Sequence, residues 1–366
     1  MNEEGKGFKI FRMGEVQEGQ LIDTGRMKYA DIHAREFEQY KLRTGDVLFN
    51  RTNSFELVGK TGIFDLEGDY CFASYLVRLN LDRSKVLPEF LNYFMNSDQF
   101  QRDVKEKASK SINQANINAT ILSNELIHFP ASLAEQKRIV GILAKALKGI
   151  ATAKDNAENN LQNTRALYEN YLQSVFSKRG AGWLKKRLSD VCTFVNGRAY
   201  KRDEMLRAGR YPLLRVGNFF TNKDWFYSDL QLEAEKYCDT GDLLYAWSAS
   251  FGPRIWDGGK VIYHYHIWKV LPKTEIIDKE FLFYLLKWDV ERIKQARGTW
   301  TTMMHVSKGS MENLPIPPRK EQIELIELLD RVTEKTLRLD SIHRQKLTAL
   351  EKLRQSLLHQ AFNGQL

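Results

Sequence analysis

Phe129-Pro130-Ala131-Ser132-Leu133-Ala134-Glu135-Gln136-Lys137-Arg138-Ile139 and Leu314-Pro315-Ile316-Pro317-Pro318-Arg319-Lys320-Glu321-Gln322-Ile323 are two versions of one signal. In each, a proline-bearing stretch gives way to a long run without breakers, which marks a helix start. The first run extends from about Ala134 to Phe176, with apolar residues at Ile139, Ile142, Ala146, Ile150, Ala153, Ala157, Leu161, Leu167, Tyr171 and Val175. The second extends from about Lys320 to Ala361, with Ile323, Ile326, Leu329, Val332, Leu339, Ile342, Leu350, Leu353 and Leu357. Steps of three and four sustained over several heptads are coiled-coil spacing, narrower than the stripe of a globular surface helix.

Working outward, the rest of the chain is also duplicated. Thr44-Gly45-Asp46-Val47-Leu48-Phe49 matches Thr240-Gly241-Asp242-Leu243-Leu244-Tyr245, and Phe8-Lys9-Ile10-Phe11 matches Tyr211-Pro212-Leu213-Leu214. Glu89-Phe90-Leu91 matches Glu280-Phe281-Leu282. Tyr70 to Leu79 and Val261 to Val270 read as matching strands, and 88–107 and 278–296 as shorter helices. The expected class is α+β: a mixed domain over 1–131, a helix over 132–179, a second mixed domain over 180–318 and a closing helix over 319–366. Residues 183–210 have no counterpart in the first half, so the first domain is expected to be shortened at its N-terminal side, or completed from elsewhere.

The chain has 366 residues, net charge +9 and three cysteines. No apolar stretch reaches membrane-spanning length, and unpaired cysteines point to a reducing, cytoplasmic setting. The positive charge is diffuse, with a net of −2 over 1–131 and +4, +5 and +2 over the following three segments. Polyanion binding would therefore use folded surfaces rather than a basic tail.

Catalytic chemistry is not legible. There is no phosphate-binding Gly-x-x-x-x-Gly-Lys loop. Cys71, Cys192 and Cys238 read as buried thiols, and His264-x-His266 reads as an aromatic sheet surface lacking a third ligand. Asp46 and Asp242 read as turn-capping aspartates. No catalytic residue, metal or cofactor is expected. Binding chemistry is richer. Asn50, Arg51, Asn53 and Ser54 follow the first Thr-Gly-Asp strand, with Lys60 beyond; Trp247, Ser248, Ser250 and Arg254 follow the second. A further polar loop precedes each long helix, with Lys110, Ser111, Asn113, Gln114 and Asn116 in one and Thr299, Thr301, Thr302, His305 and Lys308 in the other. Asn, Gln and Arg can bond base edges bidentately, while hydroxyls and lysines suit phosphates. The frames match while the loops differ, which suits one scaffold reading two different short sequences.

These features together resemble the specificity (S) subunit of type I restriction-modification systems. The resemblance rests on the Thr-Gly-Asp strands, Ser-x-Asn-Gln-x-Asn-Ile (Ser111 to Ile117), Phe-Pro-x-x-Leu-Ala-Glu-Gln (Phe129 to Gln136), Leu314 to Gln322, and the closing Phe362-Asn363-Gly364. It implies two target recognition domains, each reading half of a split double-stranded DNA site, and two helices forming an antiparallel coiled coil with pseudo-twofold symmetry. It also implies partners, namely two methyltransferase (M) subunits and restriction (R) subunits that carry the catalysis. Glu135, Gln136, Glu321 and Gln322 are the expected docking residues. The rival readings are a self-sufficient nuclease or methyltransferase and a coiled-coil adaptor without DNA binding.

Overall fold

The structure, a computed structural model, describes residues 1–112, 114–177, 180, 182–248, 250–297 and 314–366. Asn113, Thr299, Thr301, Thr302, His305 and Lys308 of the candidate set lie outside the described residues. The chain forms two compact units, Met1–Glu158 with Arg344–Leu366, and Asn159–His343. Each long helix, Leu133–Ser177 and Arg319–Phe362, is shared between them.

The two units share a set of strand pairings within sheets that differ at their edges. In the first, Phe8–Phe11 pairs parallel with Tyr70–Phe72, with Ile10 opposite Cys71. In the second, Tyr211–Leu214 pairs parallel with Val261–Tyr263, with Leu213 opposite Ile262. Leu48 faces Arg78 across one antiparallel ladder, and Leu244 faces Lys269 across the other. Sequence equivalence therefore carries through to identical register.

The Thr-Gly-Asp turns explain why. Gly45 and Gly241 adopt φ +83 and +92, open to glycine at little cost. Their amides donate to Phe64 O and Trp256 O, which ties each turn to the neighbouring strand. Asp46 then accepts from Arg43 N at 3.0 Å, and Asp242 from Asp239 N at 2.8 Å. Each carboxylate also meets the cation facing its strand, Arg78 at 3.5 Å or Lys269 at 2.6 Å. The turn-capping reading of both aspartates holds.

Two expectations need correction. Tyr70 to Leu79 and Val261 to Val270 are not continuous strands. Each bends in the middle, after Phe72 or Tyr263, and resumes at Leu76 or Ile267 in a different sheet. Leu76 N to Ala73 O and Ile267 N to His264 O close equivalent turns there. Alternation of side chains survives such a bend, so pattern alone cannot reveal it. The second correction is the helix seam. Ile139, Ile150 and Ala157 of the expected stripe are buried, joined by Gln136, Leu143, Thr164, Leu172 and Phe176, while Ile142 and Leu167 face solvent. Ile323, Leu339, Ile342 and Leu353 are likewise exposed. A residue one position from the seam keeps nearly the same spacing to its neighbours but sits about 100° around the helix.

Within each unit the two helices run antiparallel. In the first, Ile139 and Leu143 share a core with Leu358 and Ala361, and Arg138 donates to Leu366 O. In the second, Arg165 bonds Asp340, Tyr168 meets Thr333, and Leu172 and Phe176 pack in the cluster that holds Leu329. The domains grip these helices through aromatic rings. Phe362 lies edge-on to Phe90 and Phe94, and Phe176 meets Phe281 and Trp288.

Residues 183–210 add what the first unit lacks. Leu184–Lys186 pairs with Leu314–Ile316, and Cys192–Asn196 extends the sheet beyond Ile267–Pro272. In the first unit the equivalent strand, Leu76–Leu79, is the terminal one of its sheet.

One side chain per unit locks domain to helix. Gln136 Oε1 accepts from Leu87 N, and its Nε2 donates to Lys85 O and Pro130 O. Gln322 Oε1 accepts from Asp278 N, and its Nε2 donates to Ile276 O and Pro317 O. Both glutamines are fully buried. Gln322→Ala strands one N–H and two carbonyls, so it is expected to cost about 2–4 kcal/mol in urea unfolding. All seven tryptophans lie between 183 and 300, so fluorescence follows the second repeat. Glu135→Ala, at an exposed i,i+3 ion pair, should stay within about 0.5 kcal/mol by ellipticity. Equal effects would refute the clamp.

Candidate nucleic-acid interface

In the first unit, the two polar loops become one sheet. Ser109–Ser111 and Gln114–Asn116 form a hairpin, and Gln114–Asn116 pairs on its other side with Thr52–Asn53. Ile117 N donates to Arg51 O at 2.8 Å, continuing that alignment. Segments distant in the chain thus meet because each pairs in register with a common strand.

The candidates divide by face, since cross-strand partners share a side. Lys110, Ala115 and Asn53 are opposite one another, while Ser109, Asn116 and Thr52 lie on the reverse with Ser111 and Gln114. Asn116 Nδ2 donates to Thr52 Oγ1 at 2.7 Å, which orients that amide. Asn53 Oδ1 accepts from Ser54 N at 2.8 Å. The Lys110 ammonium stands 4.2 Å from the centre of the Phe55 ring, a cation–π contact. Lys105 donates to Glu56 O, and its pKa is pulled down by burial and then by neighbouring Lys60.

Asn50 departs from expectation. It is fully buried, and among the described residues neither amide atom has a partner. It ends a strand whose other residues are all core, so it cannot present its amide to a base in this conformation. Arg51, partly exposed, remains at the edge of the polar sheet.

The second unit offers different chemistry. Trp247 donates its indole N–H to Tyr265 O, and its ring packs against His266 and Trp268 at 5.0 and 5.7 Å. His264 and His266 are 4.8 Å apart, and Tyr200 stacks beyond His264. The result is an aromatic wall with Tyr265 exposed at its rim. Ser248 is buried, which removes it from direct contact, and Ser250 is exposed. Arg254 is committed within the fold: it donates to Phe219 O and Asp257 and lies over Trp256.

The docking residues are corrected in part. Gln136 and Gln322 are saturated and buried, so the repeated Glu-Gln is first a structural clamp. Glu135 is paired with Arg138, and Glu321 accepts from the Trp183 indole at 2.8 Å.

Among the described residues, no group of three or more His, Cys, Asp or Glu is arranged to hold a metal. Burial pushes the Cys71 thiol up to about 11 and the Cys192 thiol up to about 12, and raises Cys238 as well. No helix among the described residues is long and apolar enough to cross a membrane.

The family model for the type I restriction modification DNA specificity domain matches twice, over residues 2–163 and 181–352. The chain belongs to the type I restriction-modification specificity family. Along its whole length it is 24% identical to the putative MjaX type I restriction enzyme specificity subunit of Methanocaldococcus jannaschii, covering 88% of that protein. Half of the chain is 26% identical to 39% of the EcoKI specificity subunit of Escherichia coli. Among solved structures, a chain from a type I restriction-modification system superposes with TM-score 0.79 at 18% identity, over 98% of this chain and 92% of that one. The HsdS subunit of Thermoanaerobacter tengcongensis gives 0.54 at 19%, over 98% and 91%.

As a specificity subunit, the chain places unlike chemistry on like frames. Phe55 and Ile112 are exposed apolar residues beside the candidate set, which hydrogen-bonding chemistry alone does not single out. The aromatic sheet surface expected around His264 and His266 is present, and Trp247 packs into it. His264 is held down to about 4, mainly by burial and then by the charges of His266 and Arg215. Its unfolded value near 6.5 is higher, so folding favours the neutral ring. Its contribution is full above pH 6.5 and is lost as pH falls toward 4. Denaturation followed across that window should show falling stability, and His264→Phe should flatten the slope. An unchanged slope would place the titration elsewhere.

Proposed function

We propose that this specificity subunit reads an asymmetric, two-part DNA target and docks the methyltransferase and restriction subunits that perform the chemistry, itself contributing no catalysis. The domain over 1–131 would read one block through Arg51, Asn53, Ser54, Ser111, Gln114 and Asn116, with Lys60 and Lys110 on phosphates. The domain over 180–318 would read the other through the surface around Trp247, Ser250 and Tyr265. The observation that carries this reading is the pairing of identical strand register with dissimilar exposed chemistry. Two copies of one specificity would not need it, and an adaptor without DNA contact would not explain it. The whole-length likeness to a named specificity subunit supports the assignment. A fold neighbour described in terms of type I complex assembly supports partners of that kind.

The repeated helix starts also suggest one methyltransferase site per repeat, with the two sites unequal because residues 183–210 have no equivalent in the first domain. Glu135 and Glu321 would lie within these surfaces.

Selection from a random-sequence duplex pool, using the full chain with added methyltransferase subunit, tests the proposal. The expected product is two short blocks separated by a fixed unspecified gap, bound in complexes with two methyltransferase copies. One continuous or palindromic block, or a complex that stops at one copy, would contradict it. Adding one heptad to both long helices should widen the gap by about three base pairs, from 1.5 Å per helical residue and 3.4 Å per base pair, with the letters unchanged.

A further inference from the structure

Ile112 occupies the tip of the hairpin formed by Ser109–Ser111 and Gln114–Asn116. It is 93% exposed. Hairpin tips ordinarily carry Asn, Asp or Gly, whose backbones suit the turn, and a β-branched apolar residue is disfavoured there. Among the described residues, no core cluster includes its side chain. Burying an isoleucine is worth about 1.5–3 kcal/mol, and here that gain is left unrealised.

The surroundings indicate what would bury it. Phe55, 41% exposed, lies beside the ribbon under the Lys110 ammonium. Ser111 and Gln114 flank the tip with hydrogen-bonding groups, and Ser111 Oγ donates to Gln114 O, stiffening the final pair. Lys60 and Lys105 lie close enough to each other to interact electrostatically, and Lys105 donates to the carbonyl of Glu56, next to Phe55. Ile112 with the half-exposed Phe55, on a polar ribbon carrying Lys110, is too small an apolar surface for a protein–protein core. It has the chemistry of a side chain that inserts between base pairs while its neighbours hold backbone and base edges.

We propose that Ile112 is a wedge that enters the DNA stack in the first half-site and opens one base step. The inference rests on the DNA-reading function above and adds to it a positioning residue that selects for deformability as well as letters. Pyrimidine–purine steps, which unstack most easily, are the preferred point of entry.

The test uses the full chain and the duplex obtained by selection, with 2-aminopurine substituted in turn at each position of both blocks. Wild-type binding should raise emission severalfold at one step in the block read by the first domain. Ile112→Ala and Ile112→Ser should abolish that rise and weaken binding roughly tenfold, and Ile112→Leu should restore both. The salt slope should be unchanged by Ile112→Ala and reduced by about one by Lys110→Gln. Because Ile112 touches no core, these variants should fold with unaltered ellipticity. Uniformly quenched probes on a wild-type complex that still binds its target would overturn the wedge alone. Failure of wild-type chain to select any sequence would overturn the DNA reading itself. Weakened methyltransferase association by Ile112→Ala, with the emission rise intact, would make the tip a protein contact and also overturn the wedge.

Discussion

A single buried carboxamide at the start of each long helix determines what the rest of each unit can do. Gln136 and Gln322 each bond one N–H and two carbonyls that belong to the incoming proline segment and to the domain's own helix start. A carboxamide is suited to this because it is donor and acceptor at once; glutamate would lose the donor and bury a charge. With those bonds made, the helix start and the domain core can move only together. The aromatic contacts at the opposite helix ends, Phe362 on Phe90 and Phe176 on Phe281, complete each grip.

Behind this clamp, rigidity and variability are separated along the chain. The Thr-Gly-Asp turn, its facing cation and the shared strand register recur in both units, so strand ends emerge in the same way. The segment beyond each strand end is free to differ. In the first unit it is a polar ribbon of Thr, Asn, Gln and Ser; in the second it is an aromatic wall of Trp, Tyr and His. Binding residues carried on loops that a fixed frame orients can change without disturbing the core. That division is what a protein distinguishing two unrelated short sequences requires.

The frame was legible in the sequence because its signals are local. Proline followed by a heptad run marks a helix, Thr-Gly-Asp marks a turn, and duplication lets one copy validate the other. Burial was less legible. Asn50 lies just beyond the Thr-Gly-Asp turn and looks like a loop residue, yet the strand extends to include it. Ile142 and Leu143 are adjacent apolar residues, and only the partner helix decides which one faces inward. The pairing of 52–53 with 114–116 depends on contact between distant segments, which no periodicity encodes. Gln136 and Gln322 were found by repetition, but repetition does not distinguish a docking residue from a structural one. Only their hydrogen bonds do.

The central claim is that two like frames read two independent blocks. It is tested most directly by genome-wide methylation mapping in cells carrying the methyltransferase partner with either the wild-type chain or Gln114→Ala. Gln114 is exposed on the first ribbon, away from the clamp and the core. The account predicts a split motif for the wild type, and for the variant the same gap and the same second block with one or two letters of the first block relaxed. A motif whose two blocks degrade together, or a variant motif identical to the wild type in every letter of the first block, would contradict it.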